Sequence, residues 1–212
     1  EMCIRDRLQD AIFLACITGP LLAVILLHSV IYDGWRHLYF IYPFMLLIGA
    51  GGFLSIYQYC ISRRSHWWRS IFIGLVLVQF LQIASWMIQA HPMQNLYFNA
   101  LAGSNWKKNY DLDYWGLSTS LGLRYIAAHS NRPLIKVWAG SSMPLYYALK
   151  ILDPDDRERF QIATKPEDAD YFLTNFRGNT LDYEHSGYGV KKVKVFSIDD
   201  EEYLEVYQRT NF

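Results

Sequence analysis

Three polar residues, Asp33, Arg36 and His37, lie within "YDGWRHLYFIYP" (residues 32–43), between two long apolar runs. These residue types can handle an anion at a membrane surface. Arg36 carries a permanent charge on a planar fork that suits phosphate oxygens. His37 can add a donor or take up charge near neutral pH, and Asp33 can hold the Arg36 side chain in place. A second reading stays open. Arginine at a helix end often snorkels to ordinary lipid phosphates, and polar residues are common at the interface.

Other chemistry-bearing residues lie further along. The Ser141–Ser142 turn follows a strand pattern and precedes a helix pattern. Backbone amides there could hold a phosphate. Without a glycine-rich loop or a lysine, an ordinary capped turn fits better. Asp111 and Asp113 are two apart, so in an extended segment they face one side and could bind a metal or act as acid and base. An exposed polar loop is the plainer expectation. His91, His129 and His185 lack metal-ligand spacing and are expected to be solvated or locally bonded. No metal site or cofactor is expected, and no residue is assigned as catalytic.

Three uncharged runs, at residues 11–31, 38–60 and 70–90, surround and follow the first cluster. Each is about 20 residues, the length a helix needs to cross a hydrocarbon core of roughly 30 Å. The fold class expected is an α-helical polytopic membrane region of three transmembrane helices, then a small extracytoplasmic α/β domain. Residues 8–90 form the first part and 91–212 the second. Arg63, Arg64 and Arg69 in "SRRSHWWR" put that loop in the cytoplasm. By alternation, Asp33, Arg36, His37 and everything after residue 90 lie outside. Trp67 and Trp68 then suit the inner interface, and Tyr39 and Tyr42 the outer one.

Two helix faces carry information. Gly49, Ala50, Gly51, Gly52 and Ser55 make a small-residue surface that would let a neighbouring backbone come close. Gln79, Gln82, Trp86 and Gln89 share one face of the third helix. Lipid would leave those amides unpaired at several kcal/mol each, so they are expected to face protein or a wet cavity, and further helices are expected.

The 20 Lys/Arg and 20 Asp/Glu of the chain cancel, which leaves no excess of positive charge for nucleic acid. Cys3, Cys16 and Cys60 all precede the exterior domain, so no disulfide framework holds it. In that domain "LSTSLGLRYIAAHS" reads as a helix capped by Ser118 or Ser120. "PLIKVWAG" reads as a buried strand, with "SSMPLYYALKIL" a helix starting just after it. "RFQIAT" and "DYFLTNF" are strand candidates, and "VKKVKVFSI" and "YLEVYQR" form a closing hairpin around "DDEE".

The first seven residues, "EMCIRDR", resemble the translated end of a transposon-type sequencing adaptor. On that reading the chain is the C-terminal fragment of a longer polytopic protein. "YDGWRHLYFIYPFMLLIGAGG", with "HPMQNLYFNALAG" and "LDYWGLS", resembles the later part of GT-C membrane glycosyltransferases of the protein-mannosyltransferase and aminoarabinose-transferase type (glycosyltransferase family 39). The likeness covers roughly residues 30–120; the final α/β portion supports it less. It implies transfer of a sugar from a polyprenyl-phosphate donor to a lipid, glycan or protein acceptor on the outer face of a bacterial plasma membrane. It also implies a catalytic carboxylate in an upstream exterior loop, leaving this fragment inactive alone. The alternative is a membrane-anchored binding or sensor module without catalysis.

Overall fold

The computed structural model describes residues 2–31, 34–62, 66–99, 102 and 110–210. The chain forms two compact units, Glu1–Ile83 and Ala84–Phe212.

The first unit holds α1 (Met2–Leu26), a 310 segment (Gly34–Ile41), α2 (Tyr42–Ser62) and most of α3 (His66–Gln89). Leu8–Leu26, Arg36–Ser62 and Trp67–Gln89 are long and apolar enough to cross a membrane. Most of their large apolar side chains stay outside, Leu38 and Ile41 excepted: Leu75 is 65% and Phe80 68% exposed. Water would penalise such a surface, whereas hydrocarbon is its natural solvent. Aromatic contacts join the helices, with Phe13 against Phe44 at 5.9 Å and Phe53 against Phe72 at 5.1 Å between ring centroids. Cys16 and Cys60 lie in α1 and α2 as free thiols.

Two expectations for this unit need correction. The first helix ends at Leu26, short of residue 31. His28 adopts φ +47°, the Ser29 amide donates to Val24 O at 3.0 Å, and the His28 amide donates to Ile25 O at 3.3 Å. This is a Schellman stop, built on histidine where glycine is usual. The second helix does not start as an α-helix at residue 38. Its approach is the 310 segment, and α-geometry begins at Tyr42, with Pro43 in the first turn where a missing N–H is harmless. The glycine face of α2 is open among the described residues: an added Cβ at Gly49, Gly51 or Gly52 would meet nothing within 4 Å.

The second unit is a five-stranded sheet in the order β2-β1-β3-β5-β4. Its strands are β1 (Ile135–Ala139), β2 (Phe160–Ile162), β3 (Tyr171–Thr174), β4 (Val190–Ile198) and β5 (Glu201–Arg209). The pairs β1–β2 and β1–β3 are parallel, while β3–β5 and β5–β4 are antiparallel. Among the described residues, short α-helices flank the sheet: α4 (Thr119–His129), α5 (Leu145–Lys150) and α6 (Pro154–Glu158).

Alternation along the strands divides the core. Ile135, Val137, Tyr171, Leu173 and Val206 pack with Leu123 and Ile126 of α4 and Leu145 and Leu149 of α5. Phe172 and Tyr207 pack with Tyr183 and the half-buried Trp138 and Tyr188. Phe172 meets Trp138 at 5.1 Å and Tyr183 at 5.6 Å, both edge to face, the arrangement the ring quadrupole favours.

The expected strands and hairpin are present, with shifted edges. Only Asp199 and Asp200 form the hairpin turn, both at positive φ (50° and 62°), and Glu201 and Glu202 already belong to β5. Such a two-residue turn matches the twist of the paired strands. The helix after β1 starts at Leu145, four residues past Ser141. Pro144 disfavours helical geometry at Met143 and so delays it.

Candidate functional site

Arg36 and His37 lie in the 310 segment Gly34–Ile41, both exposed, at the start of the Arg36–Ser62 span. Tyr39 and Tyr42 stack beside them at 5.8 Å and 27°. The segment therefore carries a guanidinium, an imidazole and two phenols within two turns. Asp33, the third member of the cluster, lies outside the described residues.

The polar face of α3 divides. Gln79 and Gln82 are exposed in this chain. Further on, Trp86 Nε1–H donates to Asp199 Oδ2 at 2.8 Å, and its ring meets Tyr97 edge-on at 4.9 Å. Gln89 Nε2 donates to Ser85 Oγ at 2.9 Å.

Asp111 and Asp113 do not act as a pair. Asp111 is exposed, whereas Asp113 is 1% exposed and not part of an exposed polar loop. Its two carboxylate oxygens accept the backbone amides of Leu117 (2.9 Å) and Ser118 (2.8 Å). This carboxylate caps the turn leading into α4; Ser118 sits at the N-cap but its hydroxyl makes no capping bond, and Ser120 Oγ donates to Leu117 O instead. A carboxylate reaching forward over the Gly116 turn satisfies two orphan amides at once, which one hydroxyl cannot.

Each of the three histidines has a local partner. His91 Nδ1 lies 2.8 Å from Gln94 Nε2, and His129 Nδ1 lies 2.8 Å from Tyr125 O. His185 Nδ1 lies 2.8 Å from Asp182 Oδ2. That hydrogen bond, with the aspartate's charge, holds the imidazole pKa above its usual value, and the same bond holds Asp182 below its own.

A second charged cluster sits in the sheet. Glu205, 3% exposed, takes an ion pair from Lys192 and a hydrogen bond from the Tyr207 hydroxyl. Burial opposes the charge on Lys192, but the hydrogen bond and charge of Glu205 outweigh it and raise its pKa. Burial first, then Glu205, pushes the Tyr207 phenol far up. This cluster is a satisfied structural network that ties β4 to β5.

The Ser141–Ser142 turn is the place where the structure adds most. Its strand β1 pairs with β2 on one side and β3 on the other. The loops after β1 and β3 leave the sheet at the point where strand order reverses, a position that opens a crevice in parallel sheets. A cleft of about 620 Å³ lies there, lined by Trp115, Ser141, Ser142, Met143, Pro144, Tyr147 and Arg177. Ser141 Oγ donates to Asn175 Oδ1 at 2.7 Å and accepts the Asn175 amide at 3.1 Å. Ser142 N–H donates to Arg177 O at 3.0 Å. The Ser141 hydroxyl and the Ser142 amide are therefore committed to joining the two loops, as in an ordinary built turn. Trp115, Tyr147 and Arg177 escaped sequence reasoning because no local spacing links them. A search of family models, curated proteins and solved structures matches none of them to this chain.

Proposed function

We propose that this chain is the C-terminal part of an integral-membrane glycosyltransferase. It moves a sugar from a polyprenyl-phosphate donor to a lipid, glycan or protein acceptor on the outer face of a bacterial plasma membrane. The observation that carries the reading is the position of Arg36. It sits exposed in a 310 segment at one end of a membrane-length apolar span, next to His37 and the Tyr39–Tyr42 stack. A lipid-linked sugar presents its phosphate at that depth, and a guanidinium fork matches phosphate oxygens. The arginine-rich loop 61–69 lies in the cytoplasm, so this end of the span and the α/β domain face outward. Gln79, Gln82 and the open glycine face of α2 fit further helices of a larger protein.

The test is sugar transfer by the full-length protein at matched expression. A charge-assisted hydrogen bond is worth about 1.5–3 kcal/mol, so Arg36→Lys loses roughly tenfold to a hundredfold in turnover. Arg36→Ala loses more and weakens donor binding. Transfer near wild-type level by Arg36→Ala overturns the role, leaving Arg36 as an anchor to ordinary lipid. The cleft at Arg177 favours a second reading, a membrane-anchored module whose exterior domain binds a ligand without chemistry.

A further inference from the structure

We propose that the cleft at the carboxyl ends of β1 and β3 binds a sugar unit bearing an anionic group, a carboxylate or a phosphate. The cleft, at about 620 Å³, has the size of a small-molecule site. Its walls carry two large rings that the fold leaves outside the core: Trp115 is 70% and Tyr147 68% exposed. Tyr114 meets Trp115 edge-on at 5.1 Å on one side, leaving the rest of that ring open. A pyranose has an apolar C–H face and a polar rim. Its C–H face suits the negative face of an aromatic ring, and its hydroxyls suit Ser142 Oγ, which has no hydrogen-bond partner among the described residues.

Arg177 supplies the charge. Its guanidinium lies 3.6 Å from the Tyr114 ring centroid, and Nη1 donates to Tyr114 O at 2.8 Å. Both contacts fix the fork without neutralising it. Among the described residues no carboxylate pairs with it; the nearby Asp113 spends its oxygens on backbone amides. A fixed, unneutralised guanidinium in a concave site selects an anion, and its planar fork takes a carboxylate or phosphate in two-pronged fashion. The site does not suit a nucleotide. A nucleotide adds a flat base that needs its own stacking and edge contacts. A nucleoside polyphosphate adds phosphates that need several donors, and here the Ser142 amide already serves Arg177 O. The proposal stands on the cleft alone and holds whether or not sugar transfer occurs at Arg36.

The experiment is calorimetric titration of the whole chain in detergent with glucuronate, glucose 6-phosphate, glucose, inorganic phosphate and uridine monophosphate. Either acidic sugar binds with Kd near 1 mM, as a weak monosaccharide site does. Glucose and inorganic phosphate each bind at least about tenfold more weakly, since each lacks one half of the recognition. Trp115→Ala, at an exposed position that folding does not need, lowers affinity about tenfold. Arg177→Gln abolishes the preference for glucuronate over glucose, a selectivity that a merely structural role would not move. Arg36→Ala leaves the binding unchanged, which keeps this test separate from that of the transferase reading. The proposal is overturned if neither acidic sugar binds at 10-fold that concentration, or if Trp115→Ala has no effect. It is equally overturned if inorganic phosphate matches glucose 6-phosphate, or if uridine monophosphate binds more tightly than the sugars.

Discussion

Asn175 Nδ2 donates to the backbone carbonyl of Asp113 at 2.9 Å, joining the loop after β3 to the turn before α4 across 62 residues. Both residues are buried, Asn175 at 2% and Asp113 at 1% exposure. One residue caps the approach to α4 and the other holds Ser141, so the bond links the two borders of the cleft. Asp113→Ala strips the Leu117 and Ser118 amides of their acceptor, and the buried Ser118 donor left unmade costs about 1–3 kcal/mol. A clear drop in melting temperature follows in detergent. Asp113→Asn falls between, because an amide oxygen still accepts. Equal melting of wild type and Asp113→Ala would refute the capping role.

The Trp86–Asp199 bond makes a second prediction. It ties the last turns of α3 to the β4–β5 hairpin within the second unit. Trp86→Phe keeps an edge contact with Tyr97 but loses the N–H donor. The bond is exposed, so the cost is about 0.5–1.5 kcal/mol. Asp199→Asn retains an acceptor and a residue tolerant of positive φ, and costs less. Hydrogen exchange of the hairpin amides reads the difference; protection unchanged in Trp86→Phe would count against the tie.

His185 and Asp182 give a pH signature. Hydrogen bonding to Asp182 raises the imidazole pKa above its ordinary 6.5. Its stabilising contribution is therefore complete below 6.5 and lost as pH rises through the raised value. Asp182 is held below its ordinary 3.8, first by its bond to His185, so its contribution holds above 3.8 and fades as pH falls through the lowered value. The pair stabilises most between those limits. Imidazole titration by NMR should show the His185 pKa fall in Asp182→Asn; no change would mean that the contact is not formed in solution.

The proposed orientation is open to labelling. With the three native cysteines changed to serine, a cysteine at position 186 reacts with an impermeant reagent in intact cells. One at position 65 reacts only after permeabilisation. The reverse pattern would invert the topology and place Arg36 on the cytoplasmic side.

The apolar runs by themselves determined that three helices of membrane length exist, because span length and uniform hydropathy are local properties. Short runs of apolar and β-branched residues bounded by turn residues likewise foretold β1, β3 and the β4–β5 hairpin, since strand-forming residue types are a local property. Element ends were less legible. The stop of α1 depends on His28 taking a left-handed backbone, and histidine carries no such signal in sequence. The cap of α4 departs from the hydroxyl expected at Ser118 or Ser120, because Asp113 accepts the amides of Leu117 and Ser118 from the preceding turn.

The cleft belongs to tertiary structure alone. Ser141 and Asn175 are 34 residues apart, and only the parallel pairing of β1 with β3 brings their loops together. Strand pairing is a long-range contact whose partner no local pattern specifies. Arg177, Trp115 and Tyr147 therefore look like ordinary surface residues in the chain, and become one wall only when the sheet closes around β1.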